Sequence, residues 1–424
     1  MRRLTTLDNK IRIVTQTLKD RDSTAVGIWV GVGGRYESFQ HKGVAHFIEH
    51  MAFKGSQRYS CDEIKQRIEG VGGNLNAFTS EEETCYYAKV PGQHLAQTFD
   101  ILADISFFPK IAKSDLEKER TVILEEIKMY HDLPQYYVTE ILEELLWPNH
   151  PLGKSLAGTQ ETVSRFSRDD LKNFHRRFYE PANTVIAAGG AIEHEDLVNM
   201  VMRKLGGLKG DTAHQFLPAR RDQQQPAGKF FSKKIEQMHL ALGFLAYEIN
   251  HPLYYALNLL SIILGGNMSS RLFSEVRERR GLAYSIGSSL KGLHDTGMLM
   301  IRAGVDNHKI EDALDIILKV LHKTRREGVS SDELKRAKDY FLGQFLLSLE
   351  DTMDYMIWLG GALISGDQNK TVAAVMNKIN AVSQEDIKKA AEKILAPGRL
   401  NVSLIGPLES KQESRLKAIS GLFR

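Results

Sequence analysis

Two runs of the chain follow the same order of elements, and that repetition limits the folds available to it. In the first run, the strand-like segments IRIVTQTL (11–18) and STAVGIWVGVGG (23–34) precede a short apolar helix. An amphipathic helix, a strand pair, long helices and a lone strand at 184–190 follow. In the second run, the strands KFFSKKI and QMHLALGFLA precede the helices HPLYYALNLLSIILGG (251–266) and SSRLFSEVRERRG. The pair LAYSIGSSL and GMLMIRAGV, long helices and the strand LNVSLIG (400–406) complete it. A supersecondary unit repeated once predicts an α+β fold of two homologous domains. Each domain is expected to pack a mainly antiparallel sheet against helices. A chain of 424 residues exceeds what a single core supports. The polar stretch at 207–228 carries Gly, Pro and a Gln run, so it reads as the connection. The N-terminal domain is placed at 1–210, a linker at 211–228 and the C-terminal domain at 229–424.

The short apolar helix is GVAHFIEHMAFKG, residues 43–55. Residues at i, i+3 and i+4 of a helix share one face, which brings His46, Glu49 and His50 together. A lone histidine on an apolar face is usually a satisfied core residue. Two histidines and a glutamate are harder to bury, because each costs desolvation unless paired or liganded. Two neutral imidazoles one turn apart suit zinc, and H-x-x-E-H is the inverted zinc-peptidase pattern. Zinc is the expected cofactor, with Glu49 placed to take a proton from water that the metal acidifies. In the second repeat, Asn258, Ser261 and Ile262 stand opposite His46, Glu49 and His50, so that copy is degenerate.

Catalytic zinc normally takes three protein ligands, so another must come from elsewhere. The helix SDLEKERTVILEEIKMYHD (114–132) has Ser114 as a cap candidate and offers Glu119, Glu125 and Glu126. Glu119 and Glu126 lie two turns apart on one face, and Glu125 points about 100° away from Glu126. Helical geometry leaves the choice among the three open.

Composition excludes other classes. With 56 basic and 53 acidic residues the net charge is +3, which argues against nucleic acid as a partner. No apolar run approaches the roughly 18 residues of a membrane span, so no membrane is expected either. MRRLTTLDNKIRIV lacks an apolar core and does not read as a secretory signal. Cys61 and Cys85 alone predict neither a disulfide framework nor a thiolate metal site, and point to a reducing, cytoplasmic setting. SCDEIKQRIEGVGG (60–73) reads as an amphipathic helix, NLNAFTS and ETCYYAKV as paired strands, and residues 161–178 as one helix. Gly72 and Gly73 would let another chain approach the first of those strands.

Taken together, AHFIEHMAFKG, GGNLNAFTSEEETCYYAKV, ERTVILEEIKM, PLGKSLAG, FYEPANTVIAAGG and SSRLFSEVRERRGLAYS resemble the pitrilysin family of zinc peptidases across nearly the whole chain. The half-length type, which includes the mitochondrial processing peptidase and its bacterial relatives, is the most similar. The resemblance implies a zinc endopeptidase acting on unfolded or extended peptides. It implies Glu126, 76 residues beyond His50, as third ligand and Glu119 as a residue orienting the ligands or the water from behind. It implies that substrate adds as a strand along Asn74, Leu75, Asn76, Ala77, Phe78 and Thr79. Arg277 and Tyr284 match substrate-binding residues near the scissile bond. In four-domain relatives these come from the last quarter, so the resemblance implies a homodimer with composite active sites around a chamber. Two departures stand out. LGGNMSSR replaces a long glycine-rich loop, and Tyr136 with Glu140 replaces a pair of acids that reads a substrate arginine. Readings that compete with the peptidase are a non-catalytic scaffold subunit and one half of a heterodimeric processing peptidase.

Overall fold

The computed structural model describes residues 1–210, 214–220, 223–396 and 398–421. In chain order the strands are β1 (Arg2–Thr6), β2 (Arg12–Thr17), β3 (Ser23–Val30), β4 (Asn74–Thr79), β5 (Thr84–Pro91), β6 (Thr184–Gly190), β7 (Ala227–Ser232), β8 (Gln237–Ala246), β9 (Ala283–Gly292), β10 (Gly297–Asp306) and β11 (Asn401–Gly406). The helices of the first half are α1 (Val44–Ala52), α2 (Cys61–Glu69), α3 (Leu95–Phe107), α4 (Lys113–Asp132), α5 (Pro134–Leu146), α6 (Gln160–Arg165), α7 (Arg168–Phe178) and α8 (His194–Leu205). Those of the second are α9 (Tyr254–Ser261), α10 (Ile310–Glu327), α11 (Ser331–Ser348), α12 (Thr352–Ile364), α13 (Val372–Ala381), α14 (Gln384–Ile394) and α15 (Ser410–Gly421).

Two compact units result. The first gathers residues 1–128, 154–217 and 346–370; the second gathers 129–153, 218–345 and 371–424. The first sheet has the order β1-β2-β6-β3-β5-β4, with only β2 and β6 parallel. β3 is buried over nearly its whole length because both of its faces are covered. Alternation sends Val26, Ile28 and Val30 to the core beneath α1 and α3, and Ala25 and Trp29 to the other face. That other face is covered by α12, whose Met356, Leu359 and Leu363 form a stripe at helical spacing. The second sheet, β7-β11-β8-β10-β9, is antiparallel except at β11–β7. Its corresponding cover is α5, which sets Val138, Ile141 and Leu142 against Ala241, Leu245 and Ile405.

The two-sheet α+β organisation is the one the duplicated sequence predicts. Local differences have local causes. α5 falls in a gap of the sequence reading, which ends a helix before Leu133–Pro134. There the proline occupies the first turn of a new helix, where its missing N–H costs nothing. Residues 161–178 form two helices, because Ser167 caps α7 reciprocally with Asp170. Ser114 lies inside the first turn of α4. Sequence order divides the chain at 211–228, whereas the compact units interleave segments of both halves. Within that linker, residues 211–213 and 221–222 lie outside the described residues, and β7 begins at Ala227.

α12 approaches its sheet closely at Gly360, where an added Cβ would overlap the Trp29 indole. Trp29 is 1% exposed and has nowhere to retreat. Gly360→Ala is therefore expected to lose about 1–3 kcal/mol despite the helix propensity of alanine. Denaturant titration should show the loss as a lower unfolding midpoint.

Candidate metal centre

α1 is a nine-residue helix whose Val44, Ala45, Phe47, Ile48, Met51 and Ala52 are buried. Those residues anchor it to the core and leave His46, Glu49 and His50 on its partly covered side. Its N-cap, Gly43, has φ +95° and no side chain with which to cap the helix. A Cβ there would also lie 2.6 Å from the Ala157 carbonyl, so the loop after Leu156 fits only against glycine. The capping acceptor comes from Glu37 instead. Its two carboxylate oxygens accept from the amides of Gly43 (3.0 Å) and Ala45 (2.8 Å). Burial raises the Glu37 pKa, while Lys42, 3.2 Å away, and the two amides pull it down. The anion also complements the positive end of the helix.

α4 supplies the remaining carboxylates. Its buried face carries Leu116, Glu119, Ile123 and Ile127. The alternatives left open by helical spacing separate cleanly. Glu125 points to solvent and pairs with Lys128 at 2.6 Å. Glu126 turns toward the histidines, its Oε2 lying 3.8 Å from His46 Nε2 and 3.6 Å from His50 Nε2. Donor atoms of His46, His50 and Glu126 all lie within 4.8 Å of one another. Ligands at 2.0–2.1 Å around a tetrahedral ion stand roughly 3.3 Å apart, so a small contraction closes this trio on zinc.

The surroundings fit that use. Burial, and then the neighbouring His50, lower the His46 pKa to about 3, which keeps its imidazole neutral as ligation requires. His46 Nδ1 is buried without a hydrogen-bond partner among the described residues. His50 Nδ1 lies 3.2 Å from Glu119 Oε2, an arrangement in which Nδ1–H donates and Nε2 is left free for a metal. Glu119 is itself held by Lys54 at 2.6 Å. Glu49 stands beside the trio and accepts a hydrogen bond from the Thr79 hydroxyl at 2.6 Å. Burial raises the Glu49 pKa, against the pull of Thr79 and His50 and with a further push from Glu126. A base with raised affinity for protons thus sits beside three convergent ligands.

Comparison with known proteins agrees with this geometry. A family model described as "Insulinase (Peptidase family M16)" matches residues 12–160, and one described as "Peptidase M16 inactive domain" matches 165–341. A Bacillus subtilis protein named "Uncharacterized zinc protease YmxG" is 36% identical over 92% of this chain and 94% of its own. The chain belongs to peptidase family M16.

A second M16 relative, "Uncharacterized zinc protease SCO5738" of Streptomyces coelicolor, is 36% identical over 98% of this chain and 91% of its own. The same fold occurs in a protease from Helicobacter pylori, with a TM-score of 0.91 and 22% identity, covering 96% of this chain and 99% of that one. In this M16 chain the metal trio lies within the first matched segment.

The other residues singled out in the sequence fall in three places. β4 is the outer strand of the first sheet, paired on one side with β5 from Asn74↔Lys89 to Thr79↔Thr84. Asn74 and Asn76 are exposed, and Asn76 Oδ1 accepts from the Ala77 amide at 2.8 Å. Leu75 and Ala77 pack against the core beneath α1, while Phe78 packs on Trp29 from the opposite face. Gly73 serves packing inside the unit: a Cβ there would meet Val90 at 2.6 Å and the Ile68 carbonyl at 2.8 Å. The freedom to approach belongs to Gly72, where a Cβ would meet nothing within 4 Å and φ is +75°. Arg277 and Tyr284 belong to the second unit, where the guanidinium lies 5.9 Å from the Tyr284 ring. Tyr284 is 76% exposed at the start of β9, the outer strand of its sheet. Glu140 also belongs to the second unit, on α5, with its carboxylate 3.9 Å from His131, and Tyr136 is exposed nearby. Lys54 and Glu37 escaped the sequence reading. Lys54 carried a usable signal, four residues beyond His50 and in register with it. Glu37 carried none, because its targets are backbone amides.

No helix among the described residues is long and apolar enough to cross a membrane.

Proposed function

We propose that this protein is a zinc-dependent endopeptidase of extended or unfolded peptides, with zinc held by His46, His50 and Glu126. The observation that carries this reading is the convergence of those three side chains around one point, with the Glu49 carboxylate beside them. Zinc supplies Lewis-acid chemistry when bound: it acidifies water and polarises a carbonyl. Glu49 accepts the proton of the attacking water and passes it to the leaving amine. Glu119 fixes the His50 ring, and Lys54 offsets the charge of Glu119.

An extended peptide pairs along Asn74 to Thr79, where β4 presents the open side of the sheet. Backbone pairing of this kind selects conformation more than sequence. Glu140 contributes at most a modest preference for a basic side chain, since Tyr136 stands where a second acid would be needed. Two copies form a homodimer around a chamber. The partner subunit's Arg277 and Tyr284 reach the scissile bond, the phenol donating to the oxyanion and the guanidinium to peptide carbonyls. The exposure of Tyr284 supports this assignment. We place the protein in the cytoplasm, in keeping with two cysteines that are both free thiols.

The test is incubation of the purified protein with a mixture of unstructured peptides, read by mass spectrometry. Cleavage should disappear with chelator and return on addition of zinc. Cleavage that persists unchanged after complete zinc removal would refute the reading. Sedimentation should give a dimer, and an active monomer would rule out composite sites.

A further inference from the structure

Glu49 is close enough to the metal trio to raise a problem. It precedes His50 by one residue and follows His46 by three, on the same short helix. A carboxylate so placed is itself a good zinc ligand. If it entered the ligand set it would close the position that water needs. Yet the trio whose donor atoms converge is His46, His50 and Glu126, without Glu49.

What engages Glu49 instead is Thr79, whose hydroxyl donates to its Oε2 at 2.6 Å. Thr79 is the last residue of β4 and shares the face of Leu75 and Ala77, which is the face turned toward α1. The end of β4 is firmly held. The Ser80 amide donates to the Glu83 carbonyl at 2.8 Å, and the Gly34 amide donates to the Ser80 carbonyl at 3.0 Å. On the opposite face the Phe78 ring stands edge-on to Trp29, with centroids 5.5 Å apart. The hydroxyl is thus presented from a rigid support, and its hydrogen bond to an ionised acceptor is of the stronger kind.

We propose that the Thr79 hydroxyl is a tether that holds the Glu49 carboxylate in the position of a base and out of the coordination shell of the metal. Thr79 then serves two ends by separate groups. Its backbone belongs to the strand on which a peptide pairs, and its side chain positions the base. It is a positioning residue for the proposed peptidase reaction, and only the kinetic part of the test rests on that reading.

Zinc affinity, measured by competition with a chromogenic chelator, tests the tether without any turnover. Thr79→Val keeps the shape of the side chain and removes the hydroxyl. It frees Glu49 to join the ligands and should lower the zinc dissociation constant below that of the wild type. Thr79→Ser should bind zinc as the wild type does, and the double variant Thr79→Val with Glu49→Gln should return to the wild-type affinity. Zinc binding by Thr79→Val that is equal to or weaker than wild type overturns the proposal. So does tighter binding that persists in the double variant. On an extended peptide, kcat of Thr79→Val should fall about 10- to 100-fold with KM changed less than about threefold, and Thr79→Ser should recover most of the loss. An unchanged kcat in Thr79→Val likewise overturns it. A wild type that hydrolyses no peptide removes the peptidase reading, and the affinity series still decides the tether.

Discussion

Glu49→Gln will bind zinc at one ion per chain and will hydrolyse extended peptides about 10²- to 10⁴-fold more slowly than wild type, the usual worth of a positioned general base. The separation of the two properties follows from the geometry. Glu49 is absent from the trio His46, His50 and Glu126, so metal retention does not depend on it. Glutamine has the same shape and can still accept from the Thr79 hydroxyl, so the local fold stays in place. What it cannot do is take a proton. Metal analysis and steady-state kinetics on the same sample are the check. Turnover at the wild-type rate would remove Glu49 from the chemistry, and loss of zinc alongside loss of turnover would make it a ligand.

Glu37→Ala is expected to be the most damaging change to stability among the residues around α1, at about 3–5 kcal/mol. The side chains of Glu37 and Lys42 are 0% and 3% exposed. Removing the carboxylate strands a buried ammonium whose remaining partner is the Gly34 carbonyl at 2.8 Å. It also leaves the amides of Gly43 and Ala45 without their acceptor at the start of α1. Glu37→Gln keeps one oxygen for those amides and should lose less. Denaturant unfolding followed by tryptophan fluorescence will measure both variants, and a cost below about 1 kcal/mol in Glu37→Ala would contradict the assignment. Since the same amides set the pitch and position of the helix bearing His46 and His50, zinc affinity should fall along with stability.

The pattern of what could be read in the sequence follows the range of the forces involved. The strands β2, β3, β4, β5 and β6, and the repetition of the sheet, were legible because alternation and turn residues act over a few positions. The pair His46 and His50 was legible for the same reason, since one helical turn relates them. The choice among Glu119, Glu125 and Glu126 was not, because it depends on which face of α4 meets the core. Burial of Leu116, Ile123 and Ile127 makes that choice by turning Glu119 inward and leaving Glu125 to water. The roles of Glu37 and Thr79 were hidden for a related reason. Thr79 reaches across the fold to Glu49, 30 residues away in sequence, and Glu37 reaches backbone amides, which no side-chain pattern marks.

The two helices that cover the far faces of the sheets impose an order on biosynthesis. α12 begins at Thr352, long after β6 ends at Gly190, yet its Met356, Leu359 and Leu363 cover the face that carries Trp29. At about 5–20 residues per second, roughly ten to thirty seconds separate the emergence of β6 from that of α12. During that interval the nascent first sheet carries a bare apolar side. The N-terminal half released alone would keep that side permanently wet. A shortened gene product that ends before residue 352 should therefore depend on chaperones and precipitate without them, even though it retains every residue of the metal trio.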